Sequence, residues 1–416
     1  MASIYTYTSN LPLRPFLETQ TDKFYENISL TKVNLDISSL LSISSKGNFA
    51  VIIKKDRKAF CIGDNSMCQI HSFLPHNYFK SFTELIINNS ENRPFQFISA
   101  VCGENYTLYH LYDEKEGHKI CMALYKKNTI FLDIDDLIPI ALFGGTSNSA
   151  FVDSLGGVTI IITEMDRFRL QKRFTLPNLI KPVKVALGLH SVLILGSDNH
   201  IYACKLNDTT NLQFSIFDER EYIDLSGEHD QFLALSMHGK AYCYGLNDSC
   251  QFGFENKRYY QEHPIFKQKK KISKEKIIQK FLFELVTKME NVFVRSVFAA
   301  RGFSYFFSND GKVYMIGDGD PNPREIDIKD VAFCIVGYAP IFLTGNEIPE
   351  NLPNKLISDL NKFNIDQNKL IKLKMISKKE NERNMLLSEI EKLHEKEKEL
   401  KAKIDKLSKE IQLLKS

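Results

Sequence analysis

The sequence predicts an all-β fold: a seven-bladed β-propeller closed by the N-terminal strand, followed by an α-helical coiled-coil segment. Three features of the chain predict it. A strand-rich unit recurs about every 40 residues, each copy contains a tight hairpin turn, and the last copy lacks a strand that the N-terminus can supply.

The clearest copy is Ile223 to Phe254. There an apolar strand and a Gly turn lead to an alternating strand, a tight turn at His238-Gly239-Lys240 and an aromatic strand from Ala241 to Tyr244. Related units begin at Val183 and Val294, and weaker ones at Ser42, Ile98 and Ile140. In all six a turn joins an apolar strand to an aromatic or β-branched one, at Asp56-Arg57-Lys58, Gly117-His118, Gly156-Gly157, Asp198-Asn199, His238-Gly239 and Asp310-Gly311. Gly, Asn and Asp tolerate the positive φ that short hairpins demand. With Gly117, Gly157, Asn199 and Gly239 as markers the spacing is 40, 42 and 40 residues, the period of a four-stranded propeller blade.

A seventh unit starts at Val331 and stops where its aromatic strand should follow. Residues Ile4 to Thr8 repeat the alternation of Ala241 to Gly245. Pairing the two ends of the chain completes the last blade and removes two exposed sheet edges.

The best copy contains Leu233-Ala234-Leu235, Gly239, Tyr242, Gly245, Asn247, Gln251 and Gly253, and another contains Gly311, Val313, Tyr314 and Gly317. On these residues the unit resembles the regulator of chromosome condensation repeat family, over about residues 1 to 346. The resemblance implies a β-propeller whose best-known members catalyse guanine-nucleotide exchange on a small Ras-like GTPase and bind chromatin. This chain departs from the pattern in having no Trp, with Tyr244 and Ile316 at the usual Trp position. Gln231, Ser191 and Phe303 stand where the turn His belongs. The loop residues of the family's exchange face have no match here, so none is carried over.

Charge and cysteine usage narrow the function classes. The net charge of +3 divides into +7 over residues 257 to 288, +5 over 368 to 416 and −9 over the rest. An acidic body with two basic attachments does not offer nucleic acid a basic docking face. Eight dispersed cysteines with no Cys-x-x-Cys pair read as reduced thiols, and Cys61, Cys121 and Cys243, each after a large apolar residue, as core filling. No apolar run is long enough to span a bilayer, and the N-terminus has no basic start followed by an apolar stretch. The expected location is the cytoplasm, with nuclear entry open.

The expected domains are a propeller over residues 1-346, a linker over 347-367 and a coiled-coil helix over 368-416. An insertion at 256-291 should emerge from a blade edge. Its Ile277, Ile278, Phe281, Leu282, Leu285 and Val286 recur at helical spacing behind Ser273 as N-cap. The basic approach Lys269, Lys270 and Lys271 is a solvated loop, a docking site for an acidic partner or anionic membrane, or an import signal. From Leu386 to Leu414, apolar residues alternate four and three apart through Ile390, Leu393, Leu400, Ile404, Leu407 and Ile411, with Glu397 interrupting the seam. In a parallel homodimer Lys396 would approach Lys401 of the second chain. Self-association, a different partner helix and an unpaired helix all remain open.

The sequence contains no Gly-x-Ser-x-Gly, His-Glu-x-x-His, phosphate loop or calcium loop. Gly317-Asp318-Gly319-Asp320 lacks further acidic ligands and reads as a turn. His190 and His229 sit in blade turns as hydrogen-bonding residues. Asp135-Asp136 lie in a connection with no visible partner. No catalytic residue, cofactor or metal is nominated. The expected function is a non-enzymatic protein-interaction scaffold or adaptor. Its propeller loops bind a protein partner, and its C-terminal helix oligomerises or recruits through Leu393, Leu400, Ile404 and Leu407. The alternative, taken from the resemblance, is guanine-nucleotide exchange on a small Ras-like GTPase.

Overall fold

The structure is a computed structural model. It describes residues 3–7, 30–33, 39–46, 49–66, 68–71, 78–124, 129–164, 167–206, 214–254, 283–328, 331–335 and 341–344, and in the C-terminal region 398, 400, 401, 403, 404 and 407. The chain divides into two compact units, Met1–Ser358 and Asp359–Ser416.

The first unit opens with β1 (Ser3–Tyr7) and β2 (Leu30–Val33). The first sheet is β3 (Leu40–Lys46), β4 (Phe49–Lys54), β5 (Ala59–Asp64) and β6 (Tyr78–Leu85). The second is β7 (Gln96–Cys102), β8 (Tyr106–Asp113), β9 (Gly117–Leu124) and β10 (Ile130–Leu132). The third is β11 (Pro139–Gly144), β12 (Asn148–Asp153), β13 (Val158–Glu164) and β14 (Arg167–Phe174). The fourth is β15 (Pro182–Leu187), β16 (Ser191–Gly196), β17 (Ile201–Lys205) and β18 (Ser215–Asp218). The fifth is β19 (Tyr222–Glu228), β20 (Gln231–Ser236), β21 (Ala241–Gly245) and β22 (Glu284–Leu285). The sixth is β23 (Val294–Ala300), β24 (Phe303–Ser308), β25 (Val313–Gly317) and β26 (Asp320–Ile326). β27 (Val331–Ile335) and β28 (Ile341–Thr344) complete the set.

All pairings are antiparallel, and the closing sheet has the order β2-β1-β28-β27. Tyr5 stands opposite Phe342 on one side and Lys32 on the other. The two ends of the chain therefore share one sheet, as the divided seventh unit predicts. The N-terminus supplies two strands rather than the one expected, because β1 would itself be an unpaired edge without β2.

Packing turns the sheets into a propeller. The first strands of successive sheets contact one another from β3 through β23, which makes them the inner strands. Apolar clusters fill the spaces between neighbouring sheets. Phe49, Cys61, Tyr109 and Cys121 lie between the first and second, and Leu193, Tyr222, Phe232 and Tyr244 between the fourth and fifth. The cluster that joins the ends contains Leu40 and Ile43 of the first sheet, Tyr305 and Phe307 of the sixth, and Phe342 and Leu343 of the closing sheet.

The inner strands share a second regularity. Each carries a β-bulge within two steps of its start, where Leu41, Ile98, Ile140, Val183, Ile223, Arg295 and Ala332 are skipped in the register. A bulge bends and twists its strand, so repeating it at one level curves every sheet alike. The tight turns follow the sequence too: Arg57, Gly117, Gly156, Asn199, Gly239 and Gly311 all have positive φ. In the third turn the left-handed residue is Gly156, not the marker Gly157.

The insertion needs a correction. Residues 255–282, with Lys269, Lys270, Lys271 and Ile277 to Leu282, lie outside the described residues. Leu285, however, is not helical. It pairs with Tyr242 in β22, and Val286 is buried just after it. Helical periodicity loses here because β21 would otherwise be an open edge, and the two-residue strand covers it.

Two buried histidines give this fold an acid limit. Burial depresses His71 to about 4, and burial with the charges of His118 and Arg57 depresses His110 to about 3. His110 Nε2 and His118 Nδ1 are 2.9 Å apart, so each neutral ring supplies what the other needs. Below pH 6.5 the unfolded chain takes up protons on these rings that the folded chain refuses, so stability falls with pH until about 3. Denaturation midpoints at pH 7, 5 and 4 should fall in that order, and less steeply in His110→Gln. A midpoint independent of pH across this range would contradict the buried neutral pair.

Candidate interaction surface

A ring of inner strands gives the propeller two unlike faces. On the inner-turn face lie the turns between first and second strands, at Glu104, Thr146, His190, His229 and Arg301. On the connection face lie the tight turns between second and third strands and the links from one sheet to the next.

Side chains on the inner-turn face reach across the axis. Lys46 at the end of β3 forms a buried ion pair with Glu228 at the end of β19, linking the first sheet to the fifth. The Thr146 hydroxyl, from the third sheet, donates to Glu228 Oε1 at 2.6 Å. His229 Nδ1 is 2.7 Å from the same Thr146 oxygen. The hydroxyl has one hydrogen and gives it to the carboxylate, so the hydrogen in the second contact belongs to Nδ1. Burial holds His229 below the usual imidazole value, which favours this neutral form. Arg301 of the sixth sheet and Glu104 of the second are 3.5 Å apart, and the Glu104 amide donates to the Thr146 carbonyl at 2.9 Å. Sheets that are not neighbours in the ring can meet this way only over its axis. The centre of this face is thus occupied by side chains that bond one another.

A second buried pair sits deeper between neighbouring inner strands. Lys184 and Asp224, each directly after a bulge residue, are 2.7 Å apart with side chains 4% exposed. Asp224 also accepts from Ser296 Oγ at 2.8 Å and from the Val297 amide at 3.2 Å, tying the fourth, fifth and sixth sheets together.

Outside this network the face is polar and solvated. His190 Nδ1 meets Asp230 Oδ2 at 2.7 Å, and Asp230 Oδ1 accepts the His190 amide at 3.1 Å. The Gly317-Asp318-Gly319-Asp320 segment is a hairpin turn, with Gly317 paired to Asp320 and positive φ at Asp318 and Gly319.

Five buried thiols are held in their protonated form. The thiols of Cys61 and Cys102 are pushed up to about 12 by burial, and burial raises Cys121, Cys243 and Cys334 as well. A thiol in that state is protonated and unreactive at neutral pH. Among the described residues no three His, Cys, Asp or Glu side chains gather in a metal-binding group. No helix among them is long and apolar enough to cross a membrane.

The sequence-predicted partner-binding residues fall in three places. Lys269, Lys270, Lys271 and Leu393 lie outside the described residues. Leu400, Ile404 and Leu407 are helical, and each is 57% exposed or more. Their spacing of four and three places them on one stripe of the helix. The trans-axial network is absent from the sequence reading. Lys46 and Glu228 stand 182 residues apart in the chain, but Lys184 and Asp224, charges at matching steps of two apolar strands, could have signalled a buried pair.

No family model matches the sequence, and no curated protein matches it. Solved structures do match in shape. Human WBSCR16 superposes with a TM-score of 0.59 at 9% identity, over 83% of this chain and 100% of that one. Prp20p from Saccharomyces cerevisiae superposes with 0.58 at 13% identity, over 89% of this chain and 95% of that one. Yeast RCC1 (Prp20) bound to Kap60 gives 0.52 at 15% identity, over 75% and 81%. The fold is an RCC1-like β-propeller. At these identities the likeness is one of architecture, and the RCC1-like propeller of this chain carries side chains of its own on both faces.

Proposed function

We propose that this chain is a non-enzymatic interaction scaffold, built on a closed seven-bladed RCC1-like propeller that holds a protein partner on its loops. The observation that carries the reading is the occupied axis. The buried Lys46, Thr146 and Glu228 and the half-buried His229 fill the centre of the inner-turn face with mutual bonds, which leaves recognition to the loops around it. Loops on a rigid ring suit this work, since the scaffold fixes their positions. The C-terminal helix, with Leu393, Leu400, Ile404 and Leu407 along one seam, brings a second copy or another helix. Joining two modules raises affinity through effective concentration. The basic run Lys269, Lys270 and Lys271 supplies a further docking element for an acidic partner.

A second reading is guanine-nucleotide exchange on a small GTPase, favoured by the likeness to Prp20p, whose binding to Gsp1p and histones has been described. The two readings separate in one experiment. Full-length protein is mixed with a panel of small GTPases loaded with fluorescent GDP, and release and complex mass are followed together. The scaffold reading expects unchanged release at every GTPase. Acceleration by substoichiometric protein would overturn it in favour of exchange. A Leu400→Glu, Leu407→Glu variant, run beside it, should have a lower solution mass if the helix pairs with a second copy.

A further inference from the structure

Exposed apolar side chains gather on the connection face, with Tyr78, opposite Asp64 at the inner-turn end of the first sheet, as an exception among the described residues. Among the described residues no large exposed apolar side chain lies on an inner turn. Ile138, Ile140, Leu179, Ile223, Met237 and Phe293 all lie on the connection face, in or between the third to sixth sheets. Backbone bonds brace the third and fourth sheets at this level and join the fourth to the fifth and the fifth to the sixth. The Ser154 amide donates to Ile138, Ser197 to Lys181, Tyr222 to Asn199 and Val294 to Gly239. Phe293 covers the Gly239 turn so closely that a Cβ there would lie 2.9 Å from its ring.

Leu179 is the most telling member. It is 87% exposed, and both it and Asn178 have left-handed backbones, with φ of 58° and 53°. A bulky residue is strained in that conformation. Neither the strain nor the wetted side chain benefits the fold. A side chain that served packing would be buried, and the turn by itself is met better by Gly or Asn.

The charge around the arc says what covers it. Asp135 and Asp136 lie on the link into the third sheet, Glu221 directly precedes the fifth, and Glu290 lies three residues before Phe293. All four are exposed, and no described cation forms an ion pair with them. Of the cations on these links, Lys240 donates to the Glu290 carbonyl and Arg220 pairs with Asp218, while Lys181 stands two residues from Leu179. An apolar strip flanked by carboxylates repels an anionic membrane and the phosphates of nucleic acid.

We propose that this arc is the docking surface for a basic amphipathic helix of a protein partner. The helix's apolar stripe covers Leu179, Ile223 and Phe293, and its Lys and Arg residues face Asp135, Asp136, Glu221 and Glu290. The proposal rests on the protein-binding reading above and assigns it a face. Apolar anchors supply the affinity and flanking charges set orientation and register.

The test uses full-length protein and two synthetic amphipathic peptides of one pattern, one of Leu and Lys, the other of Leu and Glu. Fluorescence anisotropy should show binding of the Leu/Lys peptide alone. Leu179→Asn combined with Phe293→Ser should weaken it by about tenfold or more, and Asp135→Asn with Asp136→Asn should weaken it and flatten its salt dependence. Leu179→Asn alone should not lower the melting temperature, because Asn accepts the left-handed backbone, so lost binding is not lost folding. Unchanged affinity in both variants, or equal binding of the Leu/Glu peptide, overturns the assignment. So does a change in the protein's own mass on substitution, which would give the arc to a second copy. Cross-linked capture keeps the two levels apart. If wild type and variant retain the same proteins, the face is wrong and the scaffold stands. If neither retains any, the scaffold reading itself fails.

Discussion

Asp224→Ala should lower the stability of the propeller by about 3–5 kcal/mol, the range for breaking a buried ion pair from one side. The carboxylate holds three sheets together, through Lys184 at 2.7 Å, Ser296 Oγ at 2.8 Å and the Val297 amide at 3.2 Å. Alanine leaves the Lys184 ammonium 4% exposed with its counter-charge gone, and leaves the Val297 amide without its acceptor. Both losses are desolvation costs that the unfolded chain does not bear. Asp224→Asn retains acceptors but not the charge and should fall between. The double change Lys184→Met, Asp224→Leu removes the stranded charge, so it should recover much of the loss, though not the bonds to Ser296 and Val297. Urea unfolding followed by far-ultraviolet circular dichroism gives all four values. A loss under about 1 kcal/mol in Asp224→Ala would mean that water already solvates this pair, and that the inner strands are not packed as described.

What the chain declares about itself follows the distance between interacting residues. The six hairpins are readable because their chemistry is local. Gly117, Gly239 and Gly311 are needed where φ is positive, and Asn199 and Arg57 fill the same place with residues that bear it less well. The inner strands are readable from alternation, and the pairing of Tyr5 with Phe342 from a missing strand at one end and a spare one at the other. Outer strands are harder. β2 and β22 are short and only edge-packed, so tertiary need rather than pattern forms them. Leu285 shows the cost, since its helical spacing from Ile278 and Phe281 is real in the sequence but yields to the open edge of β21. The polar network is hidden for a different reason. Glu228, Thr146 and Lys46 come from three sheets, and no local pattern brings them together. The exposed arc is also hidden, because an exposed Leu179 and a buried Leu187 look alike until the backbone is placed.

Tyr5→Pro should destabilise the closing sheet by on the order of 2–3 kcal/mol, the cost of a broken ladder bond with its buried acceptor left unpaired. The backbone alone requires this. β1 is an inner member of the order β2-β1-β28-β27, so each of its amides faces a neighbouring strand, and proline has no amide hydrogen to give. Tyr5→Thr keeps the donor and the strand preference and should cost much less. The effect should also differ in kind from that of Asp224→Ala. Loosening β1 uncovers β28, whose own Phe342 and Leu343 belong to the apolar cluster that joins the first and sixth sheets. The variant should therefore show an exposed sheet edge, measured as faster hydrogen exchange at Ile341–Thr344 and a greater tendency to associate. Protection in the third and fourth sheets should be unaffected, because their clusters contain no residue of the closing sheet. Equal stability of Tyr5→Pro and Tyr5→Thr would mean that the chain ends are not paired in solution. The ring would then be open at that point, and no closed wall would surround the axis over which Lys46 and Glu228 meet.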